Sequence, residues 1–194
     1  MTVLYLLRHG RTRLNAAGLL RGRLDEPLDA VGQREAVALA EAFAAVAADV
    51  VVSSPLQRAR DTAAAVAHRL GLSVVVERGL IDRDYGPWAG TSRDDDLERR
   101  FGSIDQAPVV EPRARFDARV SATVQQLVAG HDVVIAVSHD AVIRSALAQL
   151  AADRSGARDD LRQPTGGWNR LDRTGGRWSV RVAGGLPGDG RTPA

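Results

Sequence analysis

The sequence predicts an α/β layered sandwich, on three observations. Short apolar runs rich in strand formers recur along the chain, at Leu4–Leu7, Val50–Val52, Ser73–Val76 and Val133–Val137. Stretches with a helical period separate them, and such alternation is the signature of layered α/β folds. Two of the runs, the first and the fourth, end in a histidine within a polar segment: Arg8-His9-Gly10-Arg11-Thr12 and Ser138-His139-Asp140. If those two strands are parallel neighbours, both histidines lie at one edge of one sheet, where open α/β sheets bind their ligands.

The elements follow in order. After the first strand, Asn15–Leu28 reads as a loop broken by Gly18, Gly22 and Pro27. Asp29 is the expected N-cap of a helix over Ala30–Ala47, with Val31, Ala36, Leu39, Ala40 and Phe43 on one stripe. After the second strand, Ser54 is expected to cap a helix that carries Pro55 at its first position and stops at Gly71. Glu77–Asp105 is the least regular stretch, with a short helix expected near Asp95–Phe101. Arg113–Ala129 predicts a long helix, and another follows His139 from Ala141 to Leu150. Arg154–Gly167 reads as a loop, and Trp168–Leu171 with Trp178–Val182 reads as a hairpin around Gly175-Gly176. The Gly- and Pro-rich segment 184–194 is expected to be a flexible tail, which leaves residues 1–183 as one domain.

Composition narrows the function classes. The chain has 194 residues, no cysteine and a formal net charge of +2. Disulfides and thiolate metal sites are therefore excluded. All 26 basic residues are arginine, but they are spread along the chain and interleaved with acids such as Asp94-Asp95-Asp96. A nucleic-acid surface needs its basic residues on one face, so no nucleic-acid partner is expected. No apolar run approaches membrane-span length, and Met1 leads straight into a strand without a leader pattern. A soluble, cytoplasmic protein is the expectation, with the oligomeric state left open.

The polar segment after the first strand suits an anionic substrate. Guanidinium groups fork onto phosphate oxygens, and an imidazole serves as nucleophile or base. A phosphomonoester dianion repels nucleophiles. Without a metal, an enzyme must place fixed positive charge and hydrogen-bond donors where charge develops. Arg8, Arg58 and His139 are the candidates for that role, and no metal-ligand cluster or cofactor motif is visible. His68, His131, Trp88, Trp168 and Trp178 read as solvated or packing residues.

The chain resembles the histidine phosphatase superfamily, also called the phosphoglycerate mutase-like family. The matching blocks are Arg8-His9-Gly10 with Thr12 and Asn15, Gly22–Leu28, Ser54–Ala63, Asp84–Gly90 and Val137–His139, in the family's order over roughly residues 1–185. The resemblance implies a three-layer α/β/α sandwich around a mostly parallel central sheet. It implies that His9 attacks phosphorus to form a phosphohistidine, with Arg8, Arg58, His139 and Asn15 holding the phosphate. It places a general acid at Asp82, where the family usually carries glutamate, with Asp84 a nearby second carboxylate. Arg23 and Asp84 are possible substrate-binding residues. Two further departures, Arg11 and Asp140, suggest a charge pair beside the pocket. Arg83 would oppose a raised Asp82 pKa if its side chain pointed inward.

A metal-independent phosphomonoesterase acting on a small phosphorylated metabolite is the leading reading. It is preferred because little room for a closing lid is expected between Gly90 and Arg113. A cofactor-dependent phosphoglycerate mutase and a phospho-ligand binding protein with little turnover remain as alternatives.

Overall fold

The computed structural model describes residues 1–92, 99–150 and 163–193. The elements are β1 (Thr2–Arg8), α1 (Arg13–Ala16), α2 (Ala30–Ala42), β2 (Val50–Ser53), α3 (Gln57–Leu70), β3 (Val74–Val76), α4 (Arg99–Phe101), α5 (Arg113–Ala129), β4 (Val133–Ser138), α6 (Asp140–Leu150), β5 (Trp168–Thr174) and β6 (Arg177–Gly185). The six strands form one sheet in the order β3-β2-β4-β1-β5-β6. The first four are mutually parallel, and β5 and β6 add an antiparallel hairpin at one edge.

Strand alternation builds the layers. Leu4 and Leu6 of β1 pack with Val134 and Ala136 of β4 against α5 and α6, through Phe116, Val120, Ile143 and Leu147. Val3, Tyr5 and Leu7 point the other way, with Ile135 and Val137, onto Leu39 of α2 and Ala63 and Val66 of α3. β1 and β4 are buried on both faces, so they read as continuous apolar runs rather than alternating ones. Trp168 starts β5 in this second core, fully buried and edge-on to Phe43 at 5.8 Å.

Several boundaries differ from the sequence reading. α2 ends at Ala42, not Ala47, and Phe43 and Val46 are buried beyond its end. α3 starts at Gln57 with Leu56 in extended geometry at its N-cap. Ser54 does not cap it, because its hydroxyl is committed to a histidine described below. The expected Asp95–Phe101 helix falls partly outside the described residues; Arg99–Phe101 is helical. Of the expected Arg154–Gly167 loop, 163–167 are described and contain no helix or strand. The hairpin is longer than expected, and Gly175 and Gly176 both take positive φ, 57° and 81°, as a tight primed turn requires. Segment 186–193, expected to be mobile, returns to the sheet: Tyr5 Oη and Arg170 Nη1 donate to the Pro193 carbonyl at 2.5 and 3.0 Å.

The stretch between Gly90 and Arg113 is also more built than expected. Ile104, Ala107 and Val110 form a small satellite core with Leu20, Tyr85, Trp88 and Phe101. Residues 104–110 thus carry a small core of their own beside Tyr85 and Trp88.

One close backbone contact positions the loop after β1. A Cβ on Gly10 would sit 2.3 Å from the Gly32 carbonyl oxygen at the start of α2. Glycine is required there for lack of space. Asp29 caps the same helix by accepting from Val31 N and Gly32 N, each at 2.8 Å. Gly10→Ala should push the loop off α2, destabilise the fold by about 1–3 kcal/mol as overpacked sites do, and lower activity. Thermal unfolding and turnover of the variant measure both effects.

Candidate active site

The site forms at the carboxyl ends of β1, β2 and β4. β1 pairs with β4 so that Arg8 stands opposite Ser138, and His9 N donates to the Ser138 carbonyl at 3.0 Å. His9 and His139 thus leave adjacent parallel strands, their rings 5.1 Å apart and essentially buried. The helix after β2 contributes Arg58 from its first turn.

His9 is held from both ends. Nδ1 lies 2.7 Å from the Gly10 carbonyl, and Arg58 Nε donates to Nε2 at 3.2 Å. A carbonyl only accepts, so Nδ1 carries the proton and Nε2 the lone pair. Burial, then the charges of Arg58 and Arg8, hold the imidazole pKa well below its ordinary value. His9 is therefore neutral, with its lone pair on Nε2 beside Arg58.

Arg58 is a fully buried cation. Nη1 donates to the Leu24 carbonyl at 2.7 Å and Nη2 to the Gly22 carbonyl at 2.9 Å, with Asp82 Oδ2 3.5 Å from Nη2. Arg8 is also buried. Its Nη1 donates to the Gln163 carbonyl, and its Nε has no hydrogen-bond partner among the described residues. Burial lowers its pKa to about 10, so it stays cationic at neutral pH.

His139 Nε2 meets Ser54 Oγ at 2.7 Å, while Nδ1 is buried without a hydrogen-bond partner among the described residues. Asp82 Oδ2 lies 4.0 Å from Nδ1, too far for a hydrogen bond. Burial and the nearby Arg58 hold His139 well below the ordinary histidine range. Asp82 is buried, and Arg83 N donates to its Oδ1 at 2.9 Å. Burial pushes its pKa above the usual carboxylate value, against the pull of Arg58 and Arg21.

The structure therefore brings together Arg8, His9, Arg58, Asp82 and His139. The other candidates make further contacts, and Arg23 stays beside Asp82, its Nε donating to the Asp82 carbonyl at 3.4 Å. Asn15 closes a capping box with Thr12 at the start of α1, its Oδ1 accepting from Thr12 N at 3.0 Å. Asp84 pairs with Arg23 at 3.0 Å on the surface, and Arg23 also reaches Glu111. Between the two carboxylates, burial and proximity to His139 single out Asp82. The expected Arg11–Asp140 pair does not form. Arg11 bonds Asp29 at 2.8 Å and Asp140 bonds Arg144 at 3.1 Å, because each has an opposite charge nearer along its own helix or loop. The Arg83 guanidinium points away, to Asp105 and the Glu111 carbonyl, so Arg83 opposes the Asp82 shift through its backbone N–H.

Two residues escaped the sequence reading. Arg21 acts electrostatically on Arg8, His9, Arg58, Asp82 and His139, and its Nε is buried without a partner. It precedes Gly22, one position outside the matching block. Ser54 lay inside a matching block, but its local position suggested a helix cap. Among the described residues no group of three or more His, Cys, Asp or Glu side chains is placed to hold a metal ion.

With this geometry in place, comparison with known proteins identifies the class. Residues 4–184 match the histidine phosphatase superfamily (branch 1), and the chain belongs to that family. It is 38% identical over 167 residues to a bifunctional protein of Mycobacterium tuberculosis, covering 78% of this chain and 44% of that protein. The chain thus spans less than half the length of that relative. It is 32% identical over 154 residues to the phosphatase PhoE of Bacillus subtilis, covering 78% of each. Among solved structures, a mycobacterial glucosyl-3-phosphoglycerate phosphatase superposes with a TM-score of 0.85 at 30% identity, over 95% of this chain and 100% of that one. An α-ribazole-5′-P phosphatase from Escherichia coli superposes at 0.84 with 26% identity, over 95% and 98%. Among the described residues no helix is long and apolar enough to cross a membrane.

The two buried histidines make a stability prediction. Both have folded-state pKa values below the unfolded value of about 6.5. Below that pH the unfolded chain binds protons that the folded chain refuses, so stability falls as pH falls. The loss approaches about 2.7 kcal/mol per pH unit for two sites, at about 1.36 per proton. Denaturant unfolding between pH 7 and 5 should show this slope, and His9→Gln with His139→Gln should remove most of it.

Proposed function

We propose that the chain is a metal-independent phosphomonoesterase that works through a phosphohistidine on His9. The observation that carries the reading is the state of His9: buried, neutral, with Nδ1 tied to a carbonyl and Nε2 facing a guanidinium. An imidazole held for packing alone has no need of a lone pair aimed at an anion-binding group.

In the first step His9 Nε2 attacks phosphorus and the bond from phosphorus to the ester oxygen breaks. Arg58, Arg8 and Arg21 supply positive charge to the phosphoryl oxygens, so no cation has to be recruited as charge spreads over them. Asp82 gives its proton to the leaving oxygen. In the second step the Asp82 carboxylate takes a proton from water as that water attacks phosphorus, releasing inorganic phosphate and freeing His9. A carboxyl with a raised pKa suits both roles.

Three of the relatives named above carry the name phosphatase, which supports hydrolysis over the mutase alternative. Those phosphatases are named for a glucosylated phosphoglycerate and for a ribazole phosphate, and small phosphorylated metabolites are the corresponding substrate class here. Such substrates are charged and do not cross membranes unaided, which favours a cytoplasmic setting. A binding protein with little turnover is the second reading, because aspartate is one methylene shorter than the glutamate its family usually carries.

Hydrolysis of p-nitrophenyl phosphate without added metal, inhibited by vanadate, separates the two; ester binding without turnover favours the binding protein. Rapid quench with labelled substrate should trap an acid-labile, base-stable adduct on His9. An adduct on His139, or a fully active His9→Ala, overturns the mechanism.

Asp82→Asn should slow alkyl phosphates by about 100-fold or more, within the range of general acid catalysis. It should slow p-nitrophenyl phosphate far less, because that leaving group needs little protonation. In the native chain, alkyl phosphate turnover should decline as pH rises through the Asp82 pKa, and the decline should be absent in Asp82→Asn. Equal slowing of both substrates would remove Asp82 from the acid role.

A further inference from the structure

Ser54 is fully buried immediately after β2. Its backbone is fixed: Ser54 N donates to the Val137 carbonyl at 3.0 Å, and Ser53 Oγ donates to the Ser54 carbonyl at 2.8 Å. Its hydroxyl oxygen accepts a long hydrogen bond from Leu56 N at 3.4 Å and lies 2.7 Å from His139 Nε2.

A buried hydroxyl proton needs an acceptor, and His139 Nε2 is the acceptor placed within reach. If serine donates to Nε2, that nitrogen carries the lone pair, and the proton of the neutral ring sits on Nδ1. Nδ1 is the buried ring nitrogen without a hydrogen-bond partner among the described residues, on the side of Asp82. The opposite arrangement, with Nε2–H donating to the hydroxyl, would leave the serine proton and the Nδ1 lone pair both unmatched. It would also turn a lone pair, rather than a donor, toward phosphate oxygens.

We propose that Ser54 is a positioning residue: its hydroxyl donates to His139 Nε2 and holds the ring in the Nδ1–H tautomer, so that neutral His139 presents an N–H to the phosphoryl group. This rests on the phosphatase reading above, since a phosphoryl group attacked by His9 lies beside the His139 ring, whose centroid is 5.1 Å from that of His9. In the free protein the neutral ring can donate there only from Nδ1. Burial and Arg58 keep it from protonating near neutral pH, so its one proton must be on the nitrogen that faces the substrate. Ser54 thus does for His139 Nε2 the converse of what the Gly10 carbonyl does for His9. The carbonyl accepts and leaves a lone pair for attack; the hydroxyl donates and leaves an N–H for binding.

The test is the tautomer itself, read in the free protein by two-bond proton–nitrogen NMR on the full chain labelled with nitrogen-15 histidine. His139→Gln assigns the signal. The expected result is a protonated Nδ1 and a bare Nε2 for His139 near neutral pH. Ser54→Ala should shift the ring toward Nε2–H and lower kcat by about tenfold or more, the size of effect seen for outer partners that orient active imidazoles. Ser54→Thr, which keeps the hydroxyl, should restore both. An Nε2–H or doubly protonated His139 in the native chain overturns the proposal, and this measurement does not require Ser54→Ala to fold. An unchanged tautomer in Ser54→Ala also overturns it, whatever the activity. If the tautomer behaves as expected but the native chain hydrolyses no phosphomonoester, the phosphatase reading fails and the role of Ser54 on His139 stands.

Discussion

The parallel pairing of β1 with β4 is the constraint on which the site depends. Its register sets Arg8 opposite Ser138 and ties His9 N to the Ser138 carbonyl. The residues that follow each strand therefore emerge side by side, which brings two imidazoles within 5.1 Å although 130 positions separate them in the chain. A one-residue slip would turn every β1 side chain to the opposite layer and exchange Leu4 and Leu6 with Val3, Tyr5 and Leu7 between the two cores. Core packing thus enforces the alignment on which chemistry depends.

Charge burial is the second organising feature. A buried cation is costly unless its donors are matched. Arg58 is matched by the carbonyls of Gly22 and Leu24, by Asp82 and by His9 Nε2. The same bonds anchor the loop that carries Arg21, so satisfying one arginine positions another. The cluster also sets protonation. Burial and positive charge act together on His9 and His139 and keep both neutral. On Asp82 the two oppose each other, and burial is the larger, so its carboxyl is raised. Two neutral imidazoles and a raised carboxyl arise from one environment acting on different side chains.

Much of this was legible in the chain. The strands, the helix Arg113–Ala129 and the N-cap at Asp29 follow from local patterns that tertiary packing reinforces. Arg8, His9, Arg58 and His139 stand in motif blocks near strand ends that survive as blocks in the fold, and Asp82 follows from its place four residues before Gly86. What was misread turned on partners distant in sequence. Ser54 looks like a helix cap because capping is a local rule; its hydroxyl instead meets a histidine 85 positions away. Asn15 also has a local role: its carbonyl oxygen closes a capping box three residues back.

By itself, then, the sequence determined the layered α/β class, the two histidines at strand ends, the arginine chemistry beside them and the absence of cysteine chemistry. These depend on periodicity and residue type, which are local. Only the tertiary structure decided which charges pair: Arg11 with Asp29 rather than Asp140, Asp84 with Arg23 at the surface, and Arg83 turned away toward Asp105. It alone set which ring nitrogen of each histidine meets a protein neighbour, and that Arg21 acts on the buried cluster. Hydrogen bonds and charge interactions act over a few ångströms in space. A chain read in one dimension does not carry those distances until the sheet has brought its strand ends together.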